Sequence, residues 1–479
     1  MLSIRCCSGW LLVFTLPVLV LCSRYAVATD LSEVYQASKE NDPILGAAHA
    51  DYKARKQALP QARSFLLPNV VFSGQTSANR REFPVPPQLD QNPGSPTFGQ
   101  LINIPGQDFN EHSWQAQLTQ PLLNLELWFN YRSAKSRTVQ AKWEYAASQQ
   151  ELIVRVAQAY LNVLRAQDLL ESTQAEEAAV KRQLEQVQQR FDVGLVAITD
   201  VLDSTAVYDG AVVRRIQADG DHDIFFETLS TLSGISYESL DRLSEALPVV
   251  NPEPFDQEVW VSTALETNYT VQAARKQLKA AQQDVHARWS AHLPTVRASV
   301  TQNHFVTGGS SFLGGKTDQR TLALQLQVPI YQGGFTQSRT REARYRSDQA
   351  RQLLANAELT VTRDTRNLWR SVATDVVRVE ARLKAIKSAE SALEATETGY
   401  EVGTRNIVDV LQAQQRLYAS QFDYADSRYR YVLDLLLLKQ TAGTLSEEDL
   451  SDLNLYADAK NPVVRLPSMR NYRPASSSQ

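Results

Sequence analysis

Apolar and polar residues alternate strictly in three short stretches of this chain, and less cleanly in a fourth. Trp114, Ala116 and Leu118 alternate with Gln115, Gln117 and Thr119. Leu322, Leu324, Leu326 and Val328 alternate with Ala323, Gln325 and Gln327, and Val296, Ala298 and Val300 with Arg297, Ser299 and Thr301. Residues 70–77 are the weaker fourth. Period two places one kind of side chain on each face of a strand. Elsewhere the chain runs in long tracts without breakers. Residues 133–189 contain neither proline nor glycine. They predict one helix of about 55 residues, some 80 Å long at 1.5 Å per residue. Residues 341–398 predict its counterpart, and 201–232 and 410–441 predict returning helices. Helices of that length call for coiled-coil-like packing, here as two αα-hairpins.

The chain repeats itself. Phe191-Asp192-Val193-Gly194-Leu195-Val196-Ala197-Ile198-Thr199-Asp200-Val201-Leu202 returns, 209 residues later, as Tyr400-Glu401-Val402-Gly403-Thr404-Arg405-Asn406-Ile407-Val408-Asp409-Val410-Leu411. Leu67-Pro68 and Leu293-Pro294 are offset by 226 residues. A tandem duplication with extra residues in the first strand-to-strand loop accounts for both offsets. The expected layout is a first repeat over 29–232, a proline-rich connector over 233–262 and a second repeat over 263–445. Their strand hairpins fall at about 67–122 and 294–330, and their helical tips at 190–201 and 399–410. Residues 446–479 form a C-terminal segment, with a polar tail from Asn461 onward expected to be disordered.

The N-terminus changes the picture. Arg5 precedes an apolar stretch over 10–22 that is too short to span a bilayer, and Ala26 and Ala28 supply the small residues of a cleavage site. Residues 1–28 therefore read as a secretory signal peptide. All three cysteines, Cys6, Cys7 and Cys22, lie within it. The mature chain has no disulfide, and Leu21 before Cys22 argues against lipidation. No later stretch reaches about 18 uninterrupted apolar residues.

The strand pattern alone also fits an ordinary half-buried sheet. Export and the long polar loops over 80–110 and 306–319 favour transmembrane strands instead. Four strands cannot close a membrane barrel, since the smallest needs about eight. Open edges cannot stand in lipid. The barrel is then shared between two chains or three.

Charge and chemistry remove other classes. The sequence holds 49 basic and 53 acidic residues, a net of −4 that becomes −6 once Arg5 and Arg24 leave with the signal. That is no footprint for nucleic acid. The six histidines show no HExxH or paired spacing. Gly315-Lys316-Thr317 ends like a phosphate loop, but Ser310 stands where the earlier glycine belongs. There is no Gly-x-Ser-x-Gly elbow. No catalytic residue, metal or cofactor is expected, so energy must come from a partner.

Residues 190–201, Val328-Pro329-Ile330-Tyr331-Gln332-Gly333-Gly334 and residues 399–411 resemble the TolC family of outer-membrane ducts. The resemblance runs from about Asp30 to Leu455 and implies a mainly α protomer with membrane strands. Three such protomers would form a twelve-stranded β-barrel in outer-membrane lipid and a twelve-helix α-barrel tunnel through the periplasm. It also implies docking to inner-membrane RND or ABC transporters through periplasmic adaptor proteins, for drug efflux or type I protein secretion. It carries a gate onto Arg405, Tyr400, Asp200, Thr199 and Gln183, joined by charge-assisted hydrogen bonds. The bland alternative is that Arg405 and Tyr400 merely solvate a helix end. Asp409 would supply an acidic ring at the constriction, which favours cations. Some members carry a second acid one turn later, where this chain has Gln412. Gly194, Leu195, Gly403 and Thr404 would meet the adaptor. The rival reading is a soluble periplasmic adaptor, which would be expected to carry one hairpin and an anchor.

Overall fold

The computed structural model describes residues 29–82, 87–102, 107–308 and 315–465. The signal segment with Cys22, loop residues such as Ser310, and residues 466–479 lie outside the described part.

Each half of the chain runs through the same elements. In the first these are α1 (Leu31–Asn41), α2 (Pro43–Lys56), α3 (Ala58–Ser64), β1 (Asn69–Arg81), a small ladder of β2 (Gln88–Leu89) and β3 (Leu101–Ile102), then β4 (Gln107–Leu123), α4 (Leu125–Asp192) and α5 (Ile198–Ser233). A short strand β5 (Ser239–Leu243) follows. The second half has α6 (Gln257–Thr267), α7 (Tyr269–Ser290), β6 (Thr295–Gly308), β7 (Gly315–Gln327), α8 (Phe335–Glu401) and α9 (Ile407–Ala442), and the chain continues into α10 (Glu447–Asn454) and β8 (Ala457–Val464).

Local chemistry sets these boundaries. Asp30, Asp42, Asp256 and Asn268 each accept a hydrogen bond from a backbone N–H in the first turn of the helix they start. The 22 residues of α7 run unbroken, whereas the matching stretch of the first half is cut at Gln57 into α2 and α3. Pro60 explains the cut: it has no N–H for the Lys56 carbonyl and its ring crowds that turn. The hairpin helices α4 and α8, with 68 and 67 residues, exceed the expected length. α4 starts almost at the end of β4, whereas residues 328–334 separate β7 from α8. Asn124 alone turns β4 into α4, its side chain accepting from the Leu127 N–H at 3.1 Å.

The four long strands form one antiparallel sheet in the order β1-β4-β6-β7, leaving β1 and β7 as open edges. Register separates its faces. Val70, Leu118, Val300 and Leu322 form one cross-strand row, and Ala298–Leu324 and Val296–Leu326 extend the same apolar face. The opposite face carries Asn69–Thr119–Ser299 and Gln115–Asn303–Gln319. Leu322 is 79% exposed in the single chain. Aromatic side chains bound the apolar band: Phe72 stacks on Trp114 and Trp114 on His304 at one end, and Trp128, Trp289 and Tyr331 stand exposed at the helical end. An apolar band between aromatic girdles is the outer surface of a membrane strand sheet. Gly315-Lys316-Thr317 lies in β7. Among the described residues no helix is long and apolar enough to cross a membrane.

Midway along the hairpins a girdle wraps α4. Leu152, Val156, Tyr160 and Leu164, spaced by one turn, are buried in the main core with Phe226, Leu229, Leu240, Leu438 and Leu450. Burying each such side chain is worth about 1.5–3 kcal/mol. The Tyr160 hydroxyl donates to the Asp241 carbonyl at 2.5 Å, and Arg155 pairs with buried Asp42 at 2.6 Å. The connector is more ordered than its prolines suggest, because β5 pairs antiparallel with β8. Residues 461–464, expected in a disordered tail, belong to that strand. Val463 is fully buried beside Leu240, and Arg465 pairs with Asp223 at 2.8 Å and Glu227 at 3.0 Å.

Candidate functional site at the helix tips

Both hairpins turn by the same device. Gly194 and Gly403 lie at φ +77° and +80°, where a side chain would be strained. Leu195 N–H donates to the Arg190 carbonyl and Gly194 N–H to Phe191; Thr404 N–H donates to the Gly399 carbonyl and Gly403 N–H to Tyr400. This pair of bonds is a Schellman motif, which satisfies the last carbonyls of the incoming helix. Behind the turns, Val180 and Val187 of α4, Val201 of α5 and Ile407, Val410 and Leu411 of α9 form a second core. The two tips of one chain therefore pack together.

The polar residues at the tips differ in their partners. Asp409, at the third position of α9, accepts from the Asn406 N–H at 3.3 Å, while Asn406 accepts from the Asp409 N–H at 2.9 Å. That reciprocal pair is a capping box. The equivalent start of α5 has Ala197 in place of Asn406 and no side-chain cap. Half-buried Asp200 has no side-chain partner among the described residues, and Thr199 is exposed without one. Arg405, with its side chain 62% exposed, reaches Asp409 Oδ2 at 3.9 Å. Within one chain it is joined to neither Asp200 nor Thr199. Gln183 and Tyr400 line one cleft of about 340 Å³. The Tyr400 hydroxyl is buried without a hydrogen-bond partner, a state that costs about 1–3 kcal/mol. Gln412 is exposed.

Two participants were missed in the sequence. Arg190 places its guanidinium 4.9 Å from the centre of the Tyr400 ring, a cation–π contact. The repeat offset aligns Arg190 with Gly399, where a Cβ would come within 2.9 Å of Arg405 Cγ. Glycine there lets Arg405 fold back over its own turn, while Arg190 reaches across to the other tip. The role of Asn406 was readable as well, since an Asn three residues before an acid at a helix start signals a capping box.

A sheet banded for lipid, continuous with two helical hairpins that turn at packed tips, defines the protomer of an outer-membrane channel. A family model described as outer membrane efflux protein matches residues 34–235 and 260–444. The chain belongs to that family and to the outer membrane. It is 36% identical over 430 residues to the outer membrane protein TolC of Vibrio cholerae, covering 89% of this chain and 93% of that one. It is 32% identical over 452 residues to TolC of Escherichia coli, covering 90% and 86%. The crystal structure of the outer membrane protein VceC of Vibrio cholerae superposes with a TM-score of 0.70 at 16% identity, over 86% of this chain and 96% of that one. These likenesses give no support to the adaptor reading. The two hairpins and the lipid-banded sheet also depart from what that reading expected.

Proposed function

We propose that three copies of this chain close their sheets into a twelve-stranded barrel and their hairpins into a twelve-helix tunnel, gated at the tips, that carries cargo outward from inner-membrane transporters. The observation that carries this reading is the pair of open edges, β1 and β7, on a sheet whose outer face is apolar. Unpaired backbone groups cannot remain in lipid, so each β7 must find the β1 of a neighbour.

The gate reading rests on two groups left without a partner in the single chain, the Asp200 carboxylate and the buried Tyr400 hydroxyl, and on the exposed Arg405 guanidinium, which only reaches Asp409 at 3.9 Å. Closure brings them together with Thr199 and Gln183. Charge-assisted hydrogen bonds are strong enough to hold the tips and still release them. Asp409, one per chain, forms the acidic ring at the constriction. Leu195, 74% exposed, and Val193 present apolar surface beyond the turn, suited to the hairpin of a periplasmic adaptor. Gly194, Gly403 and Thr404 shape that contact. An RND or ABC transporter behind the adaptor supplies energy and selects cargo, whether small molecules or proteins.

The test is the conductance of the purified protein in planar bilayers. Arg405→Ser combined with Tyr400→Phe should raise single-channel conductance severalfold; an unchanged value in this double variant rules out the gate. For docking, Leu195→Cys gives a unique thiol, because the cysteines of this chain all precede residue 29. Crosslinking should capture a periplasmic adaptor.

A further inference from the structure

A second electrostatic station lies at the opposite end of the helices, where they meet the sheet. Arg297 occupies the row Pro121–Arg297–Gln325, with the parity of Ser299 and Thr301, and so points from the polar face. That face holds a cleft of about 710 Å³ along Asn69, Gln117, Thr119 and Arg297. Arg297 also lines an adjoining cleft of about 300 Å³ with Arg288 near the end of α7, Arg339 near the start of α8 and Glu126 near the start of α4.

The charges in this smaller cleft do not balance. Glu126 is taken by Arg288 at 2.8 Å. Arg339 rests its guanidinium 5.4 Å from the centre of the Phe335 ring and has no carboxylate partner, and the first turn of α8 supplies no acid. The Arg297 side chain has neither a hydrogen-bond nor an ion-pair partner among the described residues. Three guanidiniums thus face one carboxylate, which is already engaged. A guanidinium offers a planar fork of donors matched to carboxylate and phosphate oxygens. The polar face excludes a lipid headgroup as occupant, because lipid meets the other side of the sheet.

We propose that the cleft at the sheet–helix neck is a binding station for an anionic group, a carboxylate or phosphate, carried by cargo passing from tunnel to barrel. Arg297 makes the direct contact and Arg339 adds the second charge. This rests on the duct reading, in which the polar face lines the lumen. Three copies of Arg297 then ring the neck and attract anions, opposite in sign to the Asp409 ring at the tips.

The test uses the full protein in planar bilayers, with tripolyphosphate as the probe. Added on the barrel side, tripolyphosphate should lower wild-type conductance at millimolar concentration. Arg297→Gln should weaken that block at least tenfold and shift the reversal potential in a KCl gradient toward cation selectivity. Arg297→Lys, which keeps the charge but loses the fork, should retain the selectivity and lose most of the block. If Arg297→Gln matches wild type in both block and reversal potential while conducting normally, the station does not exist. Failure to form pores at all would instead overturn the duct reading, so the two failures are distinguishable.

Discussion

The two hairpin tips share a backbone and differ in the fate of one carboxylate. Both turn through a glycine at positive φ with the same paired bonds, and both helices restart at equivalent positions. At the second tip Asn406 closes a capping box and holds Asp409 to its own helix end. At the first tip Ala197 has no acceptor to offer, and Asp200 is left without a local partner. One side chain, three residues upstream, decides whether an acid serves its own helix or stays available for another. Duplication supplied two identical frames, and the difference between them set the division of labour.

Substitutions can break or sharpen that contrast. The largest effect is expected from Asp200→Asn, which should raise single-channel conductance toward that of the Arg405–Tyr400 double variant while leaving the start of α5 intact. Asp409→Asn should instead abolish cation preference in a salt gradient, with a smaller change in conductance. Equal effects of the two on conductance would erase the distinction between the tips.

A second experiment asks whether the shafts, rather than the tips, control opening. Burial, and then the neighbouring Asp434 on α9, raise the Asp375 carboxyl from 3.8 to about 6, against the pull of Arg378 and Arg430. The folded hairpin therefore holds this proton more tightly than the unfolded chain does. The resulting stabilisation is full below about pH 4 and is lost as pH rises through about 6. Asp375→Asn should weaken that pH dependence, leaving only the part due to Asp434, and raise stability at pH 7 by on the order of 2 kcal/mol, read as thermal dissociation of the oligomer. A matching pH step in wild-type conductance, absent in the variant, would move the gate from the tips into the shafts.

Smaller effects test the caps themselves. Asn406→Ala should cost about 1 kcal/mol at the start of α9 and speed hydrogen exchange over 407–411. Ala197→Asn should install the missing box, stabilise α5 by about 0.5 kcal/mol and raise conductance slightly as Asp200 turns toward its own helix. No change in exchange at residues 198–202 would show that the backbone alone fixes that start.

Much of this was legible in the chain. Period-two alternation located the long strands, and the 209-residue echo located both tips with their glycines. The girdle was not legible. Strands β5 and β8 are short and lie more than 200 residues apart, and Val463 looks like a tail residue until Leu240 covers it. The helix starts were placed late because α4 begins after a single break residue, Asn124, and α8 directly after the positive-φ pair Gly333-Gly334 that closes the 328–334 loop. At the tips, the residue types of the proposed gate were readable, but their contacts within the chain were not. Arg405 leans on Asp409 within the chain and is not joined to Asp200, which in the proposed trimer a neighbour would offer it.

The open edges of the sheet also have a genetic consequence. In the proposed ring every subunit lends β7 to one neighbour and β1 to the other, so a protomer with one spoiled edge can still be built in by its sound side. A cell expressing such an allele beside the normal gene would assemble mostly mixed rings, each breached at one seam or two. Alleles that damage an edge strand should therefore be dominant, whereas alleles that stop the chain from folding should be recessive.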